Sequence, residues 1–284
     1  MNGLEVRQLR YFVAVAEELH FGRAAERLRM AQPPLSRAIR QLEQQLGVTL
    51  LERTTRQVTL TPAGQVLLRD ARAALEAMDA AERRTRHAGE AAPVLRLALK
   101  ADLDAGLLPA ILAAYREEPD ALPVELVLGG FAEQARALRE GRADAGLLLR
   151  PYDERGLDAE ELLTEPMLVA LAAGDPLAAR PRLRLADVAG RRLPGDGSAS
   201  DLTEIFRLVE LGSIVCFLPR SVTERYPRPE LAYRAVEDLP PATFTIAWPQ
   251  HATSLAIAAF VRAAGKAAAS RHSPGSADAP VTAA

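Results

Sequence analysis

Apolar positions recur at helical spacing in three short runs between residues 4 and 61. Leu9, Phe12, Val13 and Ala16 share one face and predict a first amphipathic helix. Ala24, Ala25 and Leu28 predict a short second helix that fades at Arg29-Met30. A third opens at Pro33-Pro34, where the missing N–H groups have no helical partner to lose. Leu35, Ile39, Leu42 and Leu46 form its buried stripe, and Gly47 supplies the stop. Leu50, Leu51, Val58 and Leu60 then flank Glu52-Arg53-Thr54-Thr55-Arg56, an apolar–basic–apolar passage that suits a two-stranded hairpin, or wing. Thr61-Pro62 opens a longer helix reaching about residue 87, with a capping hydroxyl followed by proline at the first helical position. On it, Leu68, Ala71, Leu75 and Met78 have the spacing of a seam that pairs with a second copy, or that packs on its own domain. Residues 88–93 read as a linker.

From residue 94 the pattern changes. Apolar runs at 94–99, 124–128, 145–149 and 167–171 predict buried strands, with helical patterns at 105–118 and 131–140 separating the first three. That alternation predicts a parallel sheet covered by helices, so the class overall is α/β. A helix near 202–212, strands near 213–218, 231–236 and 243–248, and a last helix near 252–269 follow. From 270 to 284 the chain is small, polar and proline-containing, which predicts a disordered tail.

Composition narrows the chemistry. The chain has 284 residues, 49% apolar and 25% charged, with a formal net charge of −2. This is the balance of an ordinary globular chain, so any contact with a polyanion is local rather than global. Of the 35 basic residues only Lys100 and Lys266 are lysines. With its many alanines, that bias reflects a GC-rich coding sequence and says nothing about DNA. No run of about 18 apolar residues predicts a membrane span, and the first residues lack a basic-then-apolar leader pattern, so cytoplasm is the expected compartment. One cysteine, Cys216, excludes an intrachain disulfide. Nucleophile-elbow, phosphate-loop and dinucleotide-loop motifs are missing, and His20, His87, His251 and His272 lack metal-ligand spacing. No catalytic residue, metal or cofactor is expected.

Two short helices joined through Arg29-Met30-Ala31 have helix-turn-helix geometry, with the third helix as reader. A reading helix meets base edges through its first turns, which places Gln32, Pro33, Ser36 and Arg37 at the contact and Arg40 one turn on, toward the backbone. The same residues also suit a plain helix start. Further marks stand around them: AA at 24–25, QPPLSR at 32–37, LE at 42–43, Gly47, LLER at 50–53 and LTPAG at 60–64. In this order they resemble the winged helix-turn-helix of the LysR-type transcriptional regulators. GRADAGLLLRP at 141–151 and LVELGSIVCFLPRSV at 208–222 resemble landmarks of that family's effector domain.

The resemblance implies a DNA-binding domain at 4–61, a dimerisation helix at 62–89 and a two-lobed effector domain at 94–269 similar to periplasmic solute-binding proteins. Lobe one would hold 94–150 and the C-terminal return, and lobe two about 160–245. Gln32, Pro33 and Ser36 match the family's major-groove contacts, and Arg37 a phosphate or base contact. Arg53 and Arg56 match wing arginines, Arg56 entering the minor groove and Arg53 alternatively pairing with Glu43 or Glu52. Thr54 and Thr61 fall to phosphates. Effector positions match Lys100, Ala101, Asp102, Arg150, Asp201 and Thr203. Lys100 suits an anionic group, whereas Asp102 argues the other way. The implied partners are double-stranded promoter DNA, an unidentified small-molecule effector, RNA polymerase, and further copies in a homodimer or homotetramer. Two departures stand out: Gly174-Asp175-Pro176-Leu177 where the family commonly has Gly-His-Pro-Leu, and a short stretch at 190–200. The competing reading is a cytosolic small-molecule binding protein whose N-terminal helices serve assembly only.

Overall fold

The computed structural model describes residues 3–53, 57–130, 133–195 and 201–272. It comprises two compact units, Met1–Arg86 and His87–Ala284. The wing-tip positions Thr54 and Arg56 and the last residues, 273–284, lie outside the described residues.

The first unit runs α1 (Val6–Glu18), α2 (Phe21–Arg27), α3 (Gln32–Leu46), β1 (Leu51–Arg53), β2 (Val58–Leu60) and α4 (Pro62–Ala88). Its core holds Phe12, Leu35, Ile39 and Leu42 of the predicted stripes, fully buried together, while on α1 Val15 is fully buried and the expected Val13 only half-buried. Each fully buried side chain contributes roughly 1.5–3 kcal/mol by leaving water. Leu46, assigned to the same stripe, sits in the last turn and is 36% exposed, because the packing partners end with Leu42. β1 and β2 form the antiparallel wing, with Leu51 opposite Leu60 and Arg53 opposite Val58.

Helix boundaries here are set by caps that periodicity does not register. His20 is the N-cap of α2, its Nδ1 accepting from the Gly22 and Arg23 amides at 3.1 and 3.2 Å. His20→Ala should therefore cost about 1 kcal/mol of stability while His20→Asn retains most of it, read as the shift in thermal unfolding. A fully stable alanine variant would sink the cap assignment. Thr61, which the sequence offers as a capping hydroxyl and the resemblance as a phosphate contact, is 9% exposed and caps α4: its Oγ1 donates to the Thr49 carbonyl at 2.7 Å and accepts from the Gly64 amide at 3.0 Å.

Half of the expected α4 seam is used within one copy. Leu68 packs against the winged core and Ala71 is buried, whereas Met78 is 47% exposed and Val66, off the seam, 49%. Arg72–Glu17 at 2.7 Å and Arg10–Asp79 at 3.1 Å tie α4 back to α1.

The second unit runs β3 (Leu95–Leu99), α5 (Leu108–Arg116), β4 (Val124–Leu128), α6 (Glu133–Arg139), β5 (Ala145–Leu149), β6 (Leu157–Glu165), β7 (Met167–Ala172), β8 (Arg182–Leu183), α7 (Leu202–Glu210), β9 (Cys216–Pro219), α8 (Arg220–Arg225), β10 (Leu231–Val236), β11 (Ala242–Pro249) and α9 (Leu255–His272). One sheet has the order β4-β3-β5-β11-β6, the other β8-β10-β7-β9.

In the first sheet β4, β3 and β5 are mutually parallel and β11 runs antiparallel to both β5 and β6; in the second, β10 is parallel to β8, and β7 is antiparallel to β10 and β9. The expected parallel sheet is thus a mixed one, because the chain returns from the second sheet along β11 in the reverse direction. β6 and β11 belong to the first sheet, so the second takes residues 167–236 and not the expected 160–245. The strand β6 has no counterpart in the sequence reading: its run of acidic residues reads as surface, and it is an edge strand whose Glu160 is exposed. The helix expected from 105 starts at Leu108, since Ala105 (φ 50°) and Gly106 (φ 69°) are left-handed and cannot continue a right-handed helix. At the Gly-Asp-Pro-Leu departure, Asp175 accepts from the Leu177 amide at 2.9 Å and pairs with Arg191 at 3.0 Å, so the loop is held by its own cap.

Candidate nucleic-acid interface and effector cleft

The helix α3 starts at Gln32, with Pro33 and Pro34 in its first turn and Ala31, which offers no side-chain cap, before it. Leu35, Ile39 and Leu42 turn inward, which leaves Gln32, Ser36 and Arg40 on one outer stripe and Pro33 and Arg37 on the next. Gln32, Pro33, Arg37 and Arg40 are exposed and Ser36 half-buried. Among the described residues none of their side chains makes a hydrogen bond or ion pair. A helix presenting uncommitted amide, hydroxyl and guanidinium groups from its first turns has the donor set that major-groove edges and phosphates accept.

Three other arginines nearby, Arg23, Arg27 and Arg53, are committed. Arg27 lies 2.8 Å from Glu17, and Arg23 donates to the Glu18 carbonyl at 2.5 Å. Arg53 is held at 2.7 Å by Glu43 with its guanidinium 4.9 Å above the Phe21 ring. The other oxygen of Glu43 accepts from the Leu50 and Leu51 amides at 3.0 and 3.2 Å, so one carboxylate buckles α3 to the start of the wing. Sequence spacing offered Glu43 only as a partner for Arg53; its grip on two wing amides became visible with the hairpin in place.

In the second unit, Lys100 follows β3 directly and is 7% exposed. It lines a cavity of about 40 Å³ with Leu103, Gln134, Leu148, Leu149 and Tyr152, at the carboxyl ends of β3 and β5 beside the first turn of α6. Such strand ends are where open α/β sheets take ligands. At this volume the cavity has room for a water or two, against roughly 300 Å³ or more for a ligand pocket. Gln134 donates to the Gly130 carbonyl at 2.8 Å, and Tyr152 meets Thr245 at 3.0 Å. A larger hollow of about 270 Å³ lies on the other side of the sheet between β6, β11 and α9, walled by Trp248, Ile257 and Val261. The cation at its rim, Arg262, is bound to Glu118 at 2.8 Å.

The remaining expected effector positions do not join the Lys100 cavity. Ala101 is exposed. Asp102, at φ 69°, is engaged from the end of α8: Tyr226 donates to its carboxylate and Arg225 lies 3.9 Å away, while Arg225 also binds Asp104 at 2.8 Å. The Asp102 carboxylate that takes this hydrogen bond pushes the Tyr226 hydroxyl above the ordinary phenol range. Arg150 is held by Glu154 at 2.8 Å and by Glu161. Asp201 caps α7, accepting from the Thr203 amide at 2.9 Å.

Residues 6–65 match the family described as bacterial regulatory helix-turn-helix protein, lysR family, and residues 88–198 match the LysR substrate binding domain. The HTH-type transcriptional regulator TfdS of Cupriavidus pinatubonensis is 37% identical over 226 residues, 74% of this chain and 73% of that protein. The chain belongs to the LysR family of transcriptional regulators. Its LysR substrate-binding match stops inside the short 190–200 stretch. The HTH-type transcriptional regulator AlsR of Bacillus subtilis is 39% identical over 189 residues, 65% of this chain and 62% of that one. The chain spans just under two thirds of the length of the first curated relatives it matches, from 57 to 63%. Among solved LysR-family structures, full-length BenM is 27% identical, covers 94% of this chain and 98% of its own, and gives a TM-score of 0.54. Full-length CbnR complexed with its target DNA is 26% identical, covers 93% and 100%, and gives 0.56.

Proposed function

We propose that this LysR-family chain is a promoter-binding transcriptional regulator whose second unit answers to a small-molecule effector. The observation that carries this reading is the division of the arginines of the first unit. Arg23, Arg27, Arg53 and Arg72 are neutralised by Glu17, Glu18 and Glu43, while Arg37 and Arg40 on the outer face of α3 have no acidic partner among the described residues. Gln32, Pro33, Ser36 and Arg37 read the major groove, Arg40 holds a phosphate, and Arg53 positions the wing whose tip carries Thr54 and Arg56, the latter for the minor groove. Copies joined along α4 as a homodimer or homotetramer place two such helices in successive grooves. The effector shifts the population of lobe arrangements, and through it the contact with RNA polymerase.

The test is a salt-titrated binding measurement on genomic fragments selected by the protein, with unlabelled competitor. Saturable binding that survives competitor supports the reading. A folded, oligomeric protein that selects no fragment would instead leave the small-molecule binder whose helices serve assembly. No reaction is assigned to the chain.

The effector would carry an anionic group seated on Lys100, in a cavity opened beyond its present 40 Å³, with Ala101 at its edge. Lys100→Met should then remove the stabilisation that the best small carboxylate of a panel gives the wild type, read by thermal shift. An equal shift in both proteins would remove Lys100 from the site. The relative from Mycobacterium xenopi, 43% identical over 62% of this chain and 93% of that protein, is named a probable hydrogen peroxide-inducible genes activator. A peroxide response through a thiol is not proposed for this chain. Its one cysteine, Cys216, is 6% exposed, and burial pushes the thiol up to about 12, far from a reactive thiolate.

A further inference from the structure

We propose that Arg29 anchors the reading module on a DNA phosphate from the turn that leads into α3. The proposal rests on the DNA-reading function proposed above. The C-terminus of α2 is closed by paired backbone bonds, Met30 N–H to the Ala25 carbonyl at 2.9 Å and Arg29 N–H to the Glu26 carbonyl at 3.0 Å. Met30 and Leu28 pack against the core beside it. This closure demands a left-handed residue, and Arg29 supplies it at φ 53°. The position ordinarily falls to glycine, because a Cβ is strained there.

The fold gains nothing visible from the arginine side chain. Arg29 is exposed, and among the described residues it makes no hydrogen bond, ion pair or ring contact. Of the four non-glycine residues with positive φ among the described residues, Leu19, Arg29, Asp102 and Ala105, it alone bears an uncommitted charge, since Asp102 is bound by Tyr226. The two arginines just before it, Arg23 and Arg27, are paired with acids of α1; Arg29, Arg37 and Arg40 are not. Arg29 stands three residues before Gln32, beside the first turn that enters the groove. An outward guanidinium on a strained backbone position at that place fits a phosphate oxygen, which a guanidinium grips in water without help from the fold.

The experiment compares wild type, Arg29→Gly, Arg29→Gln and Arg29→Lys on a fragment selected by the wild type and on a mixed-sequence duplex, over a range of salt. Glycine relieves the backbone and removes the charge, so that variant should unfold no more easily than wild type, which separates a lost contact from a damaged fold. For the Gly and Gln variants the slope of log affinity against log salt should fall by about 0.9 for each reading helix engaged, equally on both duplexes. Lysine should keep the wild-type slope. An unchanged slope in Arg29→Gly overturns the proposal, as does a loss confined to the selected fragment, which would mark a base contact. A wild type that binds neither duplex removes the DNA-reading function itself, a distinct result.

Discussion

Gln32→Ala and Ser36→Ala together are expected to relax sequence preference strongly while leaving general DNA binding in place. Both side chains stand on the outer stripe of α3 without a hydrogen bond among the described residues, so removing them costs the fold little. An amide or hydroxyl matched to a base edge contributes about 1–3 kcal/mol of discrimination. Losing two such contacts lowers affinity for the selected fragment by roughly 30-fold to 10⁴-fold, at about 1.4 kcal/mol per tenfold. Arg37 and Arg40 remain, and with them the salt-dependent attraction to any duplex. The measurement is the ratio of affinities for selected and scrambled duplexes at one salt concentration. A double variant that keeps the wild-type ratio would show that neither Gln32 nor Ser36 reads the bases.

The second large effect is structural. Gly64→Ala is expected to unfold much of the first unit's wing packing, because a Cβ at that position would sit 2.1 Å from the Leu50 carbonyl oxygen and 2.9 Å from Leu60 Cδ2. The first turn of α4 is thus laid directly on the backbone that opens the wing, and Thr61 bonds the same stretch. Alanine would gain about 1 kcal/mol in helix propensity. Against that stands a clash with backbone, which cannot swing aside as a side-chain tip does and costs 1–3 kcal/mol or more. Because the nearest atom is a backbone oxygen only 2.1 Å away, the clash lies at the upper end of that range, and the net loss should be about 2 kcal/mol, with weakened DNA binding following the displaced wing. Thermal unfolding of the purified variant followed by circular dichroism checks it. Wild-type stability would mean that α4 and the wing lie farther apart.

Legibility of the site in the sequence divides along the reach of each interaction. The outer face of α3 could be named residue by residue because its register follows from Leu35, Ile39 and Leu42 a few positions away. Thr61 reads in the sequence as a helix cap and, through the resemblance, as a phosphate contact; the Thr49 and Leu50 carbonyls beside it and the Gly64 amide engage its hydroxyl in the cap. Asp102 is a sharper case. Next to Lys100 in sequence it looks like that lysine's counter-charge, yet its partner Tyr226 is 124 residues away. The edge strand β6 is not legible in the sequence, because its acids suit a solvent face and its pairing partner β11 lies some eighty residues later.

By itself the sequence determined the three stripes of the first unit, the proline and glycine punctuation, the outer residues of α3 and the family resemblance they carry. All of these are local, encoded within a few turns of helix or a single strand. Tertiary structure alone decided which arginines are spent on Glu17, Glu18 and Glu43 and which stay available, how β11 returns between β5 and β6, and that Lys100 lies buried beside a small cavity. Those outcomes depend on groups brought together by chain reversal over tens of residues, and no local spacing rule contains the reversal.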